Sequence, residues 1–288
     1  EMVAAAKIRR ATDRVFNALP WANCISDMLI STAKYAPLDS EPLLITHDEV
    51  KRAVVVVVTS DRGLAGGFNS NVLREAEKLI KAKEKQGIEV EVIACGKKAI
   101  GYFNYRGVKP IFEFRDLSAD PTYEEAAEIS AYIGEGYNHG YENGQIDEVT
   151  LVFNHAKNGA EQTLVVQQVL PINMMSFAEV LGLEPKEEDV LEPYRDGEKK
   201  IPGDVDFEPD AATVMHQLMV AYLRNTFYYA LIDSAAAEQG ARRTAMKSAT
   251  DNATEMAETL TRLYNRVRQG AITTEISEIV GGAAALED

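Results

Sequence analysis

Residues 246–267, MKSATDNATEMAETLTRLYNRV, place apolar side chains at Met246, Ala249, Ala253, Met256, Leu260, Leu263 and Val267, in steps of 3, 4, 3, 4, 3 and 4. These are heptad a and d positions, the seam of a coiled coil. The 79 residues after Pro209 (288 − 209 = 79) contain no proline and read as one continuous amphipathic helix. At about 1.5 Å per residue such a helix is roughly 110 Å long, several times the span of a compact core. It must protrude and pack against something else. The pattern slips after Val267 and resumes at Ile272, Ile276, Ile279, Ala283 and Leu286, which rotates the seam and changes its supercoiling.

Working outward, the other end of the chain repeats the same spacing at Ile8, Ala11, Val15, Ala18, Ala22, Ile25 and Leu29. Small alanine knobs let helices approach closely, so the two chain ends are predicted to pair as an antiparallel coiled coil with residues 40–205 looped out between them. Its seam draws Ile8, Val15 and Ile25 from one helix and Met246, Met256, Leu260, Leu263 and Val267 from the other. A Leu260→Asp change would then loosen the seam in the isolated chain by burying an unpaired charge. Pro20 should kink the first helix. The alternative is that both stripes are ordinary core faces of a helical domain.

The bulk numbers narrow the class. With 288 residues and 46% hydrophobic content, the chain can build one full core in addition to an extended element. No run approaches the ~20 apolar residues of a membrane span, and no secretory signal is visible. A net charge of −15 argues against general nucleic-acid binding, which needs excess Lys and Arg. Cys24 and Cys95 read as reduced, buried thiols of a cytosolic compartment, not as a disulfide.

Between the helices the pattern becomes alternating strands and helices. Ala53 to Val58, AVVVVV, is a β-branched run of the kind buried on both faces of a parallel sheet, and it starts the sheet. A helix near 71–86, a strand near 88–94, a helix near 97–105 and a strand near 109–114 continue the βαβ rhythm of a doubly wound, Rossmann-like domain. Pro121 opens a helix through about Tyr137. Strands at 148–154 and 163–171 flank Lys157-Asn158-Gly159, whose turn chemistry predicts a hairpin and an antiparallel edge.

The loop after the first strand, SDRGLAGGFNSN at 60–71, has the glycine content and strand-to-helix position of a nucleotide loop. Its glycines at 63, 66 and 67 do not make G-x-G-x-x-G, and no Lys-Ser/Thr follows. A tight structural turn, with Asn69 or Ser70 capping the next helix, fits better. Asp61 and Arg62 read as an ion pair holding that turn. His47, His139, His155 and His216 lie on different elements, without metal-ligand spacing. The proline-containing acidic segment 184–206 has the composition of an exposed loop or insertion. Four divisions result: 1–36, a helix; 50–175, the α/β domain; 176–208, the acidic insertion; and 209–286, the long helix.

The start EMVAAAKIRRA, the loop SDRGLAGGFNSN and the ending AEQGARRTAMKSATDNATEMAETLTRLYNRVRQGAITTEISEIVGGAAA together resemble the γ subunits of F-type ATP synthases, in order and over essentially the whole chain. The resemblance implies a central rotor shaft. Its paired terminal helices pass through the α3β3 ring, while its globular domain sits on the membrane c ring near the ε subunit. Arg268, Gln269, Thr273 and Glu275, in RQGAITTE, match family positions that contact the β subunits. Lys7, Arg9, Arg10, Arg242 and Arg243 would form a basic collar facing acidic levers of β. Ile272 to Leu286 would turn inside an apolar sleeve, and Phe207-Glu208-Pro209 would lie near the ε and c-ring contacts.

The resemblance further implies that the chain itself carries no catalytic, cofactor or metal site. ATP, ADP and Mg would be held by the α and β partners. Location would be peripheral, on the cytoplasmic face of a bacterial membrane or the matrix side of a mitochondrial one. By comparison with the family, about twenty residues precede Glu1. Gly270 stands where the family usually has Ala, which costs local helix stiffness. The inserted cysteine pair of chloroplast relatives has no counterpart here. Two other readings stay open on the residues alone: a nucleotide-binding α/β enzyme with helical dimerisation arms, and a coiled-coil spacer protein.

Overall fold

A computed structural model describes residues 2–33, 35–36, 41–117, 120–141, 144–172 and 206–287. In order, the elements are helix α1 (Met2–Thr32), a single 3-10 turn (Pro42–Leu44), β1 (Arg52–Val58), α2 (Phe68–Glu84), β2 (Glu89–Cys95), α3 (Lys97–Tyr105), β3 (Phe112–Phe114), α4 (Tyr123–Asn138), β4 (Glu148–Ala156), β5 (Gln162–Leu170) and α5 (Ala211–Glu287). All but a few residues of the predicted acidic insertion, 176–208, lie outside the described residues.

The five strands form one sheet in the order β3-β2-β1-β4-β5. The β1–β2, β1–β4 and β2–β3 pairs are parallel, and β4–β5 is antiparallel. The strand that comes first in the chain is therefore the central one, and the hairpin supplies the antiparallel edge. Every residue of β1 is buried. Successive side chains on a strand point to opposite faces. Val55 and Val57 accordingly join Val72, Ala76, Ile80, Ile100 and Phe103 of α2 and α3, whereas Val54, Val56 and Val58 join Ile129 and Ile133 of α4 and Met219 and Phe227 of α5. The valine run is continuous because both faces of its strand are covered.

Local chemistry sets the boundaries. The strand predicted at 109–114 begins only at Phe112; Pro110, just upstream, has no N–H to give a ladder. Helix α4 starts after a capping box, in which the backbone N–H of Thr122 donates to Glu125 Oε2 at 2.6 Å while the Thr122 hydroxyl accepts from Glu125 N–H. The hairpin closes through Asn158, whose Oδ1 accepts from the N–H groups of Ala160 and Glu161 at 2.9 and 2.8 Å. At the N-terminal end of the sheet, the Asp147 carboxylate accepts from the N–H groups of Lys51 and Arg52 and meets His47 Nδ1 at 2.8 Å. Helix α1 is assigned continuously across Pro20. Both cysteines are free, but Cys24 is exposed, against the expectation of two buried thiols, because it lies on α1 away from the stripe that holds Ala22, Ile25 and Leu29.

The chain divides into two compact units, Glu1–Arg243 and Thr244–Asp288. The first part of α5 thus belongs with the α/β domain, and the single division predicted over 209–286 is split.

Candidate partner interface and helix socket

Within the first unit, α1 and the start of α5 run antiparallel. Tyr35, just past α1, meets Phe207, just before α5, with ring centroids 5.4 Å apart, and earlier on α1, Arg14, Asn17 and Ala18 line one groove with Asn225 and Tyr228. As numbers rise on α1 they fall on α5. Of the predicted seam, Ile25 is buried and Ile8, Val15 and Met246 are half-buried.

The C-terminal unit presents the rest of the seam to solvent. Met256, Leu260, Leu263 and Val267 are 64%, 58%, 53% and 62% exposed, and Ile272, Ile276, Ile279 and Val280 are comparably open. A stripe of this length on a monomer's surface marks a protein-binding face. Arg268, Gln269, Thr273 and Glu275 are exposed on the same unit. The Thr273 hydroxyl donates to its own helix at Gln269 O, 2.9 Å away. Thr250, Thr254 and Thr261 do the same to Met246 O, Thr250 O and Ala257 O at 2.9, 3.0 and 2.8 Å.

The predicted basic collar divides. Lys7, Arg9, Arg10 and Arg243 are exposed. Arg242 instead turns inward, ion-paired with buried Glu238 one helical turn away and 3.4 Å from Gly63 O. A charge committed to a buried carboxylate is not free to meet a partner, so the collar is smaller than the sequence suggests.

Just before this point α5 changes character. Every residue from Tyr229 to Ala241 is buried, so the helix is enclosed on all faces. What encloses it is the crevice at the C-terminal ends of β1 and β4, where the chain's winding reverses and open α/β sheets place their ligands. Val58, Thr59, Phe68 and Leu117 line one side of a cavity of about 10 Å³, and Leu231, Ser234, Ala235 and Glu238 of α5 line the other. That volume is about the size of a single water. Ala65 and Phe68, from the glycine loop and the start of α2, pack against Ala237 and Ala241. A Cβ on Gly240 would lie 3.2 Å from Gly159 O of the hairpin turn, so the helix approaches that turn backbone to backbone.

The glycine loop is built as the wall of this socket. Its helix cap is Gly67, without a side-chain bond, and not Asn69 or Ser70. The Asn69 side chain instead reaches back to the strand end, Oδ1 accepting from Ser60 N–H at 2.9 Å. Asp61 does not act merely within its own turn: its carboxylate accepts from the N–H groups of Lys97 and Asp116, both at 3.0 Å, tying the loop to the start of α3. Thr59 Oγ1 donates to Cys95 O and accepts from Ala99 N–H. Gly96 has φ +95, and a Cβ there would stand 2.3 Å from Thr59 O.

Two histidines join α5 to the domain through buried carboxylates. His216 on α5 meets Glu41 at 3.0 Å, and Asp233 on α5 meets His155 at the end of β4 at 2.7 Å. Asp233 Oδ1 also accepts from Ala156 N–H at 3.1 Å. The hydrogen bond to Asp233 raises the pKa of His155 above its ordinary value, against the opposing effect of burial. Sequence reading missed Asp233, Glu238 and Gly240; the run SAAAEQGA, small residues around a lone acid inside a helix, is the signal of close all-round packing. Among the described residues no cluster of three or more His, Cys, Asp or Glu could hold a metal ion. Among them, too, no helix is long and apolar enough to cross a membrane.

The family described as "ATP synthase" matches residues 1–286. The chain is 36% identical to the ATP synthase gamma chain of Streptomyces coelicolor over 288 residues, covering all of this chain and 90% of that one. It is 40% identical to the gamma chain of Heliobacterium modesticaldum over 286 residues, covering 99% and 91%. Among solved structures, the Tetrahymena thermophila mitochondrial ATP synthase central stalk and c-ring contains a chain of the same fold, with TM-score 0.60 and 22% identity over 86% of this chain and 96% of that one. A chain of the Euglena gracilis mitochondrial ATP synthase gives TM-score 0.55 at 17% identity, covering 98% and 95%. The chain belongs to the ATP synthase gamma chain family. It is thus a component of a membrane-associated complex.

Proposed function

We propose that this chain is the central-stalk rotor subunit of an F-type ATP synthase, coupling ion-driven rotation of a c ring to conformational cycling of catalytic β subunits, or running in reverse to pump ions. The observation that carries the reading is the exposed heptad stripe Met256–Val267 on a chain whose whole length matches gamma chains. An α3β3 ring that closes around that stripe supplies the cover it lacks. A rotor acts by presenting different faces to successive β subunits, so each site is held in a different conformation and rotation exchanges them. One proton crossing 100 mV supplies about 2.3 kcal/mol, so the shaft must sum several translocations per ATP.

In this reading Arg268, Gln269, Thr273 and Glu275 meet the β subunits, and the exposed members of the collar, Lys7, Arg9, Arg10 and Arg243, steer toward acidic β surfaces in a salt-dependent way. The ε subunit and c ring contact the α/β domain, which puts the chain at the cytoplasmic face of a bacterial membrane or the matrix face of a mitochondrial one. The chain itself performs no catalysis and holds no cofactor: ATP, ADP and Mg belong to α and β. In support, helix α5 fills the crevice in which an α/β domain would otherwise seat a nucleotide. The test is MgATP hydrolysis by purified α and β subunits with and without this chain, alongside the chain alone. Stimulated, chain-dependent turnover with none from the chain alone is expected. No association and no stimulation would overturn the reading.

A further inference from the structure

A helix that carries torque into a domain must be held against rotation about its own axis, and the small side chains that line much of this socket do so weakly. Ala235, Ala236, Ala237, Gly240 and Ala241 pack closely, but small apolar side chains make non-directional contacts, which oppose separation far more than twist. Hydrogen bonds are directional. We propose that Asp233, with His155, is the torsional key of this joint, a positioning pair that fixes the rotational setting of α5 in the α/β domain so that torque passes between them; the proposal rests on the rotor reading above.

Three observations carry it. Asp233 is 1% exposed, so its carboxylate is worth its desolvation only if both oxygens are used. They are: Oδ2 meets the His155 imidazole and Oδ1 takes the Ala156 N–H, both from the last residues of β4. The anchor is held in place, because His155 and Ala156 stay paired with Thr163 and Gln162 of β5 and Asn154 beside them donates to Phe68 O at 3.0 Å. The second tie, His216 to Glu41, lies 17 residues earlier (233 − 216 = 17), roughly 25 Å along the helix and about 100° around it. With the longer contact from Arg242 to Gly63 O, these ties hold α5 at several points on different faces, of which Asp233 is the one with two bonds to the sheet.

The test uses the full chain reconstituted with α and β subunits and a membrane sector in sealed vesicles, reading ATP hydrolysis and ATP-driven proton uptake together. Asp233→Ala is expected to keep unloaded hydrolysis by the α–β–chain assembly within twofold of the parent while protons pumped per ATP fall at least fivefold. His155→Gln, which retains a donor for Asp233, should recover more than half of the parent ratio where His155→Ala does not. A purely structural residue would lower both readouts together and would not separate Gln from Ala. If the parent chain stimulates no hydrolysis, the rotor reading fails and the key with it. If the parent couples and Asp233→Ala pumps within twofold of it per ATP, the key alone is overturned. Should Asp233→Ala not assemble, His155→Ala decides: a lowered ratio supports the key, a parental ratio removes it.

Discussion

Replacing Leu260 by Asp separates a helix that is stable on its own account from one that needs partners. In the chain by itself Leu260 is 58% exposed, and substitutions at such sites change stability by about 0.5 kcal/mol or less. The sequence pattern by itself predicts the opposite, a loosened seam. A buried control sets the scale: Phe68 is fully buried in the socket, and Phe→Ala at such a site costs about 3–5 kcal/mol. In the assembled complex the same Leu260→Asp change forfeits about 1.5–3 kcal/mol of apolar burial and adds an unpaired carboxylate to a desolvated surface. Counting the burial alone, at about 1.4 kcal/mol per decade, association with α and β weakens roughly tenfold to a hundredfold. Denaturant unfolding of the isolated chain, with Phe68→Ala alongside, measures the first half. Titration of chain-stimulated MgATP hydrolysis measures the second. An isolated Leu260→Asp chain that loses as much stability as Phe68→Ala, or a variant that associates like the parent, refutes the reasoning.

Gly96→Ala should lower stability by about 1–3 kcal/mol from the positive φ alone, with the clash against Thr59 O in addition; parental unfolding would show that the β2–α3 turn is not built as described. Thr122→Ala removes one half of the α4 capping box and should cost about 0.5–2 kcal/mol, read by the same melts. Arg268→Ala with Gln269→Ala should leave the isolated chain's unfolding unchanged and lower coupled turnover in the reconstituted complex; parental turnover contradicts their role. The raised pKa of His155 means the folded state holds its proton more tightly than the unfolded one, so the stabilisation is complete below about pH 6.5 and is lost as pH rises through the raised value. His155→Gln should flatten that part of the stability-against-pH curve, and an unchanged slope would assign it to another group.

Much of the architecture was legible because it rests on periodicity. The unbroken valines of β1 announced a strand covered on both faces, and Lys157-Asn158-Gly159 announced the hairpin, since Asn158 closes it with its own side chain. The position of β1 at the centre of the sheet was not legible, because strand order is a long-range property that a local pattern does not encode. The seam was visible as a stripe, but a stripe names no partner: Ile25 finds its cover within the chain and Leu260 does not. The socket was hidden for a related reason. Asp233 and Glu238 look like solvent-facing acids of a long helix, and only the fold brings His155, Ala156 and the glycine loop around them. Arg242 was read as a collar charge because the signal around its partner Glu238, a lone acid among small residues one turn earlier, was passed over.

The threonines of the C-terminal unit give the helix a direction. Thr250, Thr254 and Thr261 each return a hydroxyl to the carbonyl four residues back, a bond that bends helices slightly. At about 100° per residue these three positions fall within roughly 40° of one another around the axis, whereas Thr273, which makes the same bond to Gln269 O, lies about 100–140° away, so the local bias is one-sided only as far as Thr261. Within this unit the local bias of the helix is thus written into hydroxyl side chains, with no proline to interrupt it.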